Sequence, residues 1–263
     1  MEVKDLKEIS KNIREDVIDS IHSAGSGHPG SSLSCIECIV SLYHEIMDLS
    51  KDKFILSKGH AAPTWYAVLA SVGKIQKEEL YTLRKVDSNL QGHPTNKIDG
   101  IDVCSGSLGQ GLSVANGIAI ARKIDEKDGY VYCLLGDGEL QEGQVWEAVM
   151  TSNKYNLDNL IIFVDNNGLQ IDGKIEDVKG ITNIQGKFDA FGFNTFVIDG
   201  HNEEEIVKTV TKAKEVKGKP TAIILKTVKG KGISYMEDVA EWHGKSINDE
   251  DYEKAKMELG GNV

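Results

Sequence analysis

The chain has 263 residues, of which 40% are hydrophobic and 27% charged, and this composition is typical of a globular protein with a substantial core. Its formal net charge of −11 argues against nucleic acid or an anionic membrane as a partner, because binding to either depends on dense lysine and arginine. No apolar run approaches the roughly 20 residues of a membrane span, and the polar, acidic start does not resemble a signal peptide, so we expect a cytoplasmic protein.

Helices and strands alternate along the chain, as judged from apolar residues at helical spacing and from short apolar runs. In chain order the predicted elements are helix 3–23, helix 31–49, strand 54–57, helices 61–73, 77–85 and 112–124, strand 130–135, a crossover helix, strands 160–165 and 194–199, helix 202–217, strand 221–226 and helix 249–259. We expect Ser31 or Ser32 to cap the second helix and residues 172–192 to be irregular. This alternation predicts an α/β fold, a mostly parallel sheet with helices on both faces, in one domain over residues 1–263.

Two central strands end in polar turns, Gly136-Asp137-Gly138 and Asp165-Asn166-Asn167. Parallel strands joined by one helix place such turns at the same edge of a sheet. A carboxylate, an amide oxygen and a nearby backbone carbonyl are hard ligands that suit Mg²⁺ or Ca²⁺, and Mg²⁺ usually adds waters and phosphates. We expect Gly138, without a Cβ, to let a diphosphate approach and use its free N–H. Gly-Asp-Gly alone is typical of a turn, but the pair of motifs matches the thiamin-diphosphate signature.

Histidines form a second pattern. Five of the seven lie beside glycine or proline at the ends of predicted elements, namely His28, His60, His93, His201 and His243. Each alone is typical of a loop residue that hydrogen-bonds locally. Together they indicate a site at one sheet edge, because histidine can exchange protons and bind phosphate near neutral pH.

A glycine-rich turn, Gly-Ser-Leu-Gly-Gln-Gly at 106–111, opens helix 112–124. The free N–H groups and positive dipole end of a helix N-terminus could face an anion or a cofactor ring. A turn that only lets the helix pack closely is the alternative.

Several of these segments stand in the order found in transketolases. They are Ala-Gly-Ser-Gly-His-Pro-Gly at 24–30, Ser-Lys-Gly-His at 57–60, Gly-His-Pro at 92–94, Gly-Ser-Leu-Gly-Gln-Gly at 106–111 and Gly-Asp-Gly-Glu-Leu-Gln-Glu at 136–142. The resemblance covers nearly the whole chain. The chain is similar to the amino-terminal, diphosphate-binding part of the family's long polypeptide, and resembles the N-terminal subunit of a split transketolase.

The resemblance implies a role for each candidate site residue. The implied ligands of the divalent metal are Asp137, Asn167 and the carbonyl of Leu169, where many relatives have isoleucine. The implied cofactor contacts are His60, Gly106, Leu108, Gly138, Asn167 and His243. The histidines implied around the reacting carbon are His28, His93 and His243, and the acid implied in a carboxylate network across a subunit interface is Glu142.

The resemblance further implies thiamin diphosphate as cofactor, sugar-phosphate substrates and transfer of a two-carbon unit from a ketose phosphate to an aldose phosphate, as in the pentose phosphate pathway. In this family a glutamate on the aminopyrimidine and the arginines that bind the sugar phosphate come from the following pyrimidine-binding domain. We therefore expect the chain to need a C-terminal partner subunit that carries this domain, in a symmetric α₂β₂ assembly.

Two other interpretations stay open. The chain could be the α subunit of a 2-oxo acid dehydrogenase or part of a split deoxyxylulose-phosphate-synthase-like enzyme, since both share a metal signature of this kind. It could also be a non-catalytic homologue that serves as a binding module. The glycine-rich and Gly-His-Pro-Gly segments favour transketolase over the first, and the joint presence of Asp137, Asn167, His60, His93 and Glu142 argues against the second.

Overall fold

The computed structural model describes residues 3–260, so the first two and last three residues of the predicted domain lie outside the described part. The helices within this range are α1 (Val3–Ala24), α2 (Pro29–Leu33), α3 (Ile36–Ser41), α4 (Ala62–Ser71), α5 (Gln110–Ile124), α6 (Gly143–Lys154), α7 (Ile175–Lys179), α8 (Ile184–Ala190), α9 (Glu203–Glu215) and α10 (Asp249–Leu259). The strands are β1 (Lys53–Leu56), β2 (Val131–Gly136), β3 (Leu160–Asn166), β4 (Leu169–Gln170), β5 (Gly173–Lys174), β6 (Asn194–Asp199) and β7 (Thr221–Lys226). None of these helices is long and apolar enough to cross a membrane.

Five strands form one sheet in the order β1-β2-β3-β7-β6, and every neighbouring pair is parallel. β2 and β3 lie side by side with Gly136 opposite Asp165, so their polar turns meet at one edge as predicted. The predicted fold class is therefore confirmed. β4 and β5 form a separate antiparallel hairpin just beyond the end of β3.

Apolar side chains on alternate positions of the central strands fill two cores, one on each face of the sheet. Tyr132 and Leu134 of β2 face the core formed with α1, α3, α4 and α9, whereas Cys133 and Leu135 face the core formed with α5, α6 and α8. Strands buried on both faces explain why their sequences are continuous apolar runs rather than alternating patterns.

Four details of the predicted secondary structure are wrong. The helix predicted over 31–49 is broken into α2, α3 and a π-helical turn at Leu42–Ile46. The predicted caps Ser31 and Ser32 are buried inside α2, which begins at Pro29, and the break follows where the Ser34 hydroxyl donates to Asp165 Oδ2 at 2.5 Å.

The other two errors concern short elements. The helix predicted over 77–85 is a 3₁₀ turn at Lys77–Thr82, which ends at Leu83 with an extended ψ of 127°, and Arg84 beyond it has a left-handed φ of 59°. The segment 172–192, expected to be irregular, contains part of the β4–β5 hairpin together with α7 and α8. These elements have only two to seven residues each, too few for a periodic pattern to show.

Candidate functional site

The carboxyl ends of the parallel strands lie along one edge of the sheet, and the loops that follow them line a cavity of about 310 Å³. This is the edge at which open α/β sheets bind ligands. The strand-end side chains that line it are Lys58 and His60 after β1, Asp137 after β2, Asn167 after β3 and Lys229 after β7.

Every candidate site residue lines this one cavity. These residues are His28, His60, His93, Gly106, Leu108, Asp137, Gly138, Glu142, Asn167, Leu169 and His243. A second cavity of about 450 Å³ shares Asp137, Asn167 and Leu169 as a common wall and extends along α7. The structure thus brings the predicted residues together, while the role of each stays a prediction.

Four of the five loop histidines form a cluster within the cavity. The ring centroid of His28 lies 5.4 Å from that of His60, 6.2 Å from His93 and 5.5 Å from His243. The fifth, His201, lies apart and contacts Glu37 instead.

The surroundings of the clustered histidines keep them neutral. Burial, followed by the charge of Arg84, lowers the pKa of His28 to about 4, and burial, followed by Lys229, lowers the pKa of His243 to about 3. The pKa values of His60 and His93 are lowered as well, mainly by burial. Near pH 7 these rings are therefore neutral imidazoles that can accept or share a proton.

Asp137 is 2% exposed and is already held by backbone donors. Its Oδ1 accepts from the Gly138 N–H at 2.8 Å and its Oδ2 from the Gly168 N–H at 2.6 Å. The expectation of a free Gly138 N–H is therefore wrong, because that donor points back to the preceding carboxylate. Burial, followed by repulsion from Asp165, raises the pKa of Asp137 to about 7, and a bound cation would favour its ionised form.

Asn167 is oriented by two contacts. Its Nδ2 donates to Asp165 Oδ2 at 3.4 Å, and its Oδ1 accepts from the Leu169 N–H at 3.1 Å. Amide oxygens keep a second lone pair when they accept one hydrogen bond. Asp137, Asn167 and Leu169 share one cavity wall, and their carboxylate, amide and backbone carbonyl oxygens are hard ligands of the kind that suits a small divalent cation completed by water and phosphate. This set contains only one acidic side chain, and nowhere among the described residues do three His, Cys, Asp or Glu side chains come together in a way that could hold a metal ion.

Two buried lysines supply positive charge that the sequence motifs did not predict. Lys58 Nζ pairs with Asp165 and donates to the Ser31 carbonyl at 2.9 Å. Lys229 is 1% exposed, and its Nζ lies 2.9 Å from His243 Nδ1. Burial, followed by the charge of Lys58, lowers the pKa of Lys229 to about 8. Asp165 neutralises Lys58, so Lys229 is the lysine that brings local positive charge to this cavity in a net-negative chain. In the sequence, the glycine that follows each lysine marks its loop.

Glu139 is another buried residue, and the motif at 136–142 that contains it did not predict its role. It accepts hydrogen bonds from the Ser57 hydroxyl, from the Gly109 N–H at 2.8 Å and from the Gly136 N–H at 3.1 Å. It therefore joins the loops after β1 and β2 to the turn before α5. That turn packs closely, as one alternative for the segment 106–111 expects, and it also lines the cavity, while its contact with an anion or a cofactor ring stays a prediction.

Glu142 differs from Glu139 in being exposed. It stands at the N-terminal end of α6 and lines the cavity. Its carboxylate is therefore available to a second chain.

Comparisons with known proteins agree with this geometry. The family model described as "Transketolase, thiamine diphosphate binding domain" matches residues 6–263. The chain is 38% identical to one of the subunits of the apulose-4-phosphate transketolase of Phocaeicola vulgatus, covering 100% of this chain and 96% of that protein. It is 39% identical to the 6-deoxy-6-sulfo-D-fructose transketolase subunit SqwG of a Clostridium species, covering 97% and 96% of the two chains.

Solved structures show the same architecture. Transketolase from Campylobacter jejuni matches with a TM-score of 0.91 and 33% identity over 100% of this chain. This chain spans only 44% of that longer polypeptide, whereas it spans nearly all of the two subunits above. These relatives are enzymes, and the resemblance inferred from the sequence motifs is confirmed. The chain belongs to the transketolase family and corresponds to its thiamine diphosphate binding domain.

Proposed function

We propose that this chain is the cofactor-binding subunit of a transketolase, which transfers a two-carbon ketol unit from a ketose phosphate to an aldose phosphate with thiamin diphosphate and Mg²⁺. The observation that carries the proposal is the cavity at the sheet edge. One wall has hard oxygen donors, two buried lysines line the same cavity, and a cluster of neutral histidines lies within it. A cation with a diphosphate needs the first two features, and proton exchange on a sugar needs the third.

The oxygen wall would hold the metal and the diphosphate. Asp137, Asn167 and the Leu169 carbonyl are suited to the cation, with Ca²⁺ an alternative to Mg²⁺. Lys229 and His60 would face the phosphate oxygens, and Gly106 and Leu108 would pack against the cofactor rings. When bound, thiamin diphosphate supplies the electron sink that makes a two-carbon unit transferable.

The histidines would handle the sugar. His28, His93 and His243 are neutral near pH 7, so each can accept a proton from a substrate hydroxyl or hold that hydroxyl by a hydrogen bond. Arg84 Nη2 lies 3.4 Å from His28 Nδ1, and its charge opposes protonation of that ring.

The rest of the site would come from a second polypeptide. The two similar subunits of nearly equal length carry names that imply partner subunits of their own. We infer that this chain acts as one domain with a C-terminal, pyrimidine-binding partner subunit in an α₂β₂ assembly in the cytoplasm. The exposed Glu142 is suited to the interface between subunits.

Reconstitution with the candidate partner tests this proposal. The complex should transfer a ketol unit from xylulose 5-phosphate to ribose 5-phosphate or between related sugars, and each chain alone should not. Apulose 4-phosphate and 6-deoxy-6-sulfofructose belong in the donor panel, since the similar subunits are named for them. Activity of this chain alone would contradict the need for a partner. Turnover only of pyruvate, with an electron acceptor or with glyceraldehyde 3-phosphate, would instead identify one of the alternative thiamin-diphosphate enzymes.

Calorimetric titration of the complex with thiamin diphosphate and Mg²⁺ tests the oxygen wall directly. Asp137→Ala should abolish tight binding. Glu176→Ala is the matched control, because this exposed carboxylate lines only the neighbouring cavity. An unchanged affinity in Asp137→Ala would remove Asp137 from the site, and tight binding without any turnover would favour a non-catalytic homologue.

A further inference from the structure

The segment 227–232 after β7 carries Lys229 into the cavity and is anchored along its length. The Val228 N–H donates to His201 Nε2 at 2.8 Å. The Gly230 N–H donates to the Gly30 carbonyl at 3.0 Å, and Arg14 Nε donates to the Lys231 carbonyl at 2.8 Å. Groups from distant parts of the chain thus hold both sides of Lys229.

Both side-chain anchors bind the same carboxylate. Arg14 Nη2 lies 2.5 Å from Glu37 Oε1, and His201 Nδ1 lies 3.0 Å from Glu37 Oε2. The three side chains are 10%, 13% and 6% exposed for Arg14, His201 and Glu37. Glu37 on α3 therefore connects α1 with the loop after β6, and through both of them it connects with the loop after β7.

The hydrogen bonds fix the state of the imidazole. A backbone N–H can only donate, so His201 Nε2 must accept and carries no proton. The ring proton then lies on Nδ1, facing the Glu37 carboxylate. Both hydrogen bonds of His201 form only when the carboxylate, the imidazole and the Val228 amide keep these positions. The partners of a metal-binding histidine orient its ring in the same way.

We propose that Glu37, His201 and Arg14 are positioning residues that hold the loop 227–232 so that the Lys229 ammonium stays in the cavity, where it meets a phosphate of the bound cofactor. The proposal rests on the proposed function for the identity of the anion, but not for the restraint on the loop. The ammonium is nearly completely desolvated and lies beside neutral His243, and no carboxylate of residues 3–260 forms an ion pair with it. A free loop would return it to water, so the anchors are what keep the charge inside.

Two substitutions of His201 distinguish the effect of its hydrogen bonds from the effect of its size. His201→Phe keeps the ring but removes both hydrogen bonds, whereas in His201→Gln the amide can still donate to Glu37 and accept from Val228. In the reconstituted complex we expect His201→Phe to weaken thiamin diphosphate binding about tenfold or more, as for the loss of one well-placed charged contact, and His201→Gln to restore most of it. Asn202→Ala is the control for lost stability. It removes the cap that accepts from the Glu205 N–H at 3.1 Å and should lower the melting temperature without changing the affinity.

A second readout does not depend on the cofactor. Reductive methylation of the protein, followed by mass spectrometry, gives the pH at which Lys229 becomes half-reactive. This midpoint should lie near 8 in the wild type and move toward the ordinary 10.5 in His201→Phe but not in Asn202→Ala. If His201→Phe does not fold, Glu37→Gln, which has the shape of the native residue and mismatches one of its donors, is tested in the same way.

The outcomes are distinguishable. An unchanged methylation midpoint in the folded variant overturns the positioning role. A shifted midpoint in a complex whose wild type binds no thiamin diphosphate leaves the positioning role standing and refutes the proposed function. Equal losses of affinity in His201→Phe, His201→Gln and Asn202→Ala would mean that the cluster only stabilises the fold.

Discussion

Removing one partner of the buried pair of Lys58 and Asp165 should be among the most destabilising changes to a polar contact in the chain. Their side chains are 2% and 0% exposed, and Asp165 also accepts from the hydroxyls of Ser34 and Thr227. Burial favours the neutral carboxyl, yet Lys58 and these hydroxyls hold the pKa of Asp165 below its usual range. Lys58→Met would leave a carboxylate buried without a cation, and breaking such a pair lowers the free energy of unfolding by about 3–5 kcal/mol.

Urea unfolding of four proteins measures this effect: the wild type, Lys58→Met, Asp165→Asn and the double variant. The double variant buries neither charge, so we expect it to be more stable than the sum of the single losses predicts, by about 2 kcal/mol or more. Lys254→Met is the control, since the pair of Lys254 with Glu250 is 54% and 80% exposed, and water screens such a pair so that its loss should hardly change the free energy of unfolding. Single losses below about 1 kcal/mol at the buried pair would refute the reasoning.

Three further predictions concern stability and use the same unfolding assay. Gly111→Ala should lower the free energy of unfolding by about 2–3 kcal/mol, because a Cβ there would lie 2.5 Å from the nearest side chain. Gly117→Ala on the same helix meets nothing within 4 Å and should raise the free energy of unfolding by about 0.5–1 kcal/mol. The opposite order of stabilities would contradict the packing. His28 and His243 have folded pKa values of about 4 and 3 against an ordinary 6.5, so at these two sites the unfolded chain binds more protons in between. Their contribution to stability should fall as the pH falls from about 6.5 toward 4, by about 1–2 kcal/mol given the partial exposure of both rings, whereas Asp137, with a folded pKa of about 7, acts in the opposite sense. Replacing both histidines by asparagine should flatten this slope, and an unchanged slope would assign it elsewhere. Asn248→Ala removes the side-chain cap of α10 and should lower the free energy of unfolding by about 1 kcal/mol, and a loss near zero would show that this helix end is already frayed.

Much of the fold could be predicted because the sheet is regular. β2 and β3 are apolar runs that end in Gly-Asp-Gly and Asp-Asn-Asn, and parallel pairing then places Asp137 and Asn167 at one edge without further information. The break between α2 and α3 could not be predicted. It lies where Ser34 donates a hydrogen bond to Asp165, 131 positions away in the sequence. Local patterns carry no signal for such a contact.

The candidate site was predictable to the extent that its residues belong to motifs. The clustered histidines and the oxygen donors stand beside glycines, which mark loops, and the family resemblance gives them roles. Lys58 and Glu139 also stand within these motifs, but no role could be predicted for them or for Lys229, because 30 lysines and arginines and 41 acidic residues look alike in sequence and only a few are buried. Burial lowers the pKa of Lys229, and Glu139 is placed so that it accepts the Gly109 N–H. Both positions depend on the whole fold rather than on neighbouring residues.

The position of β7 has a consequence for how the chain is made. Among the described strands, β6 pairs with β7 alone, and β7 lies between β6 and β3 although it is the last of them in sequence. During synthesis β6 therefore cannot pair with its neighbouring strand until residue 226 has left the ribosome. Lys229 follows three residues later, so the nascent chain cannot present a finished site before its last strand is inserted. Cofactor affinity should thus arise late in folding, when β7 pairs with β3 and β6. The pairing of strands that are distant in sequence is a slow step in folding.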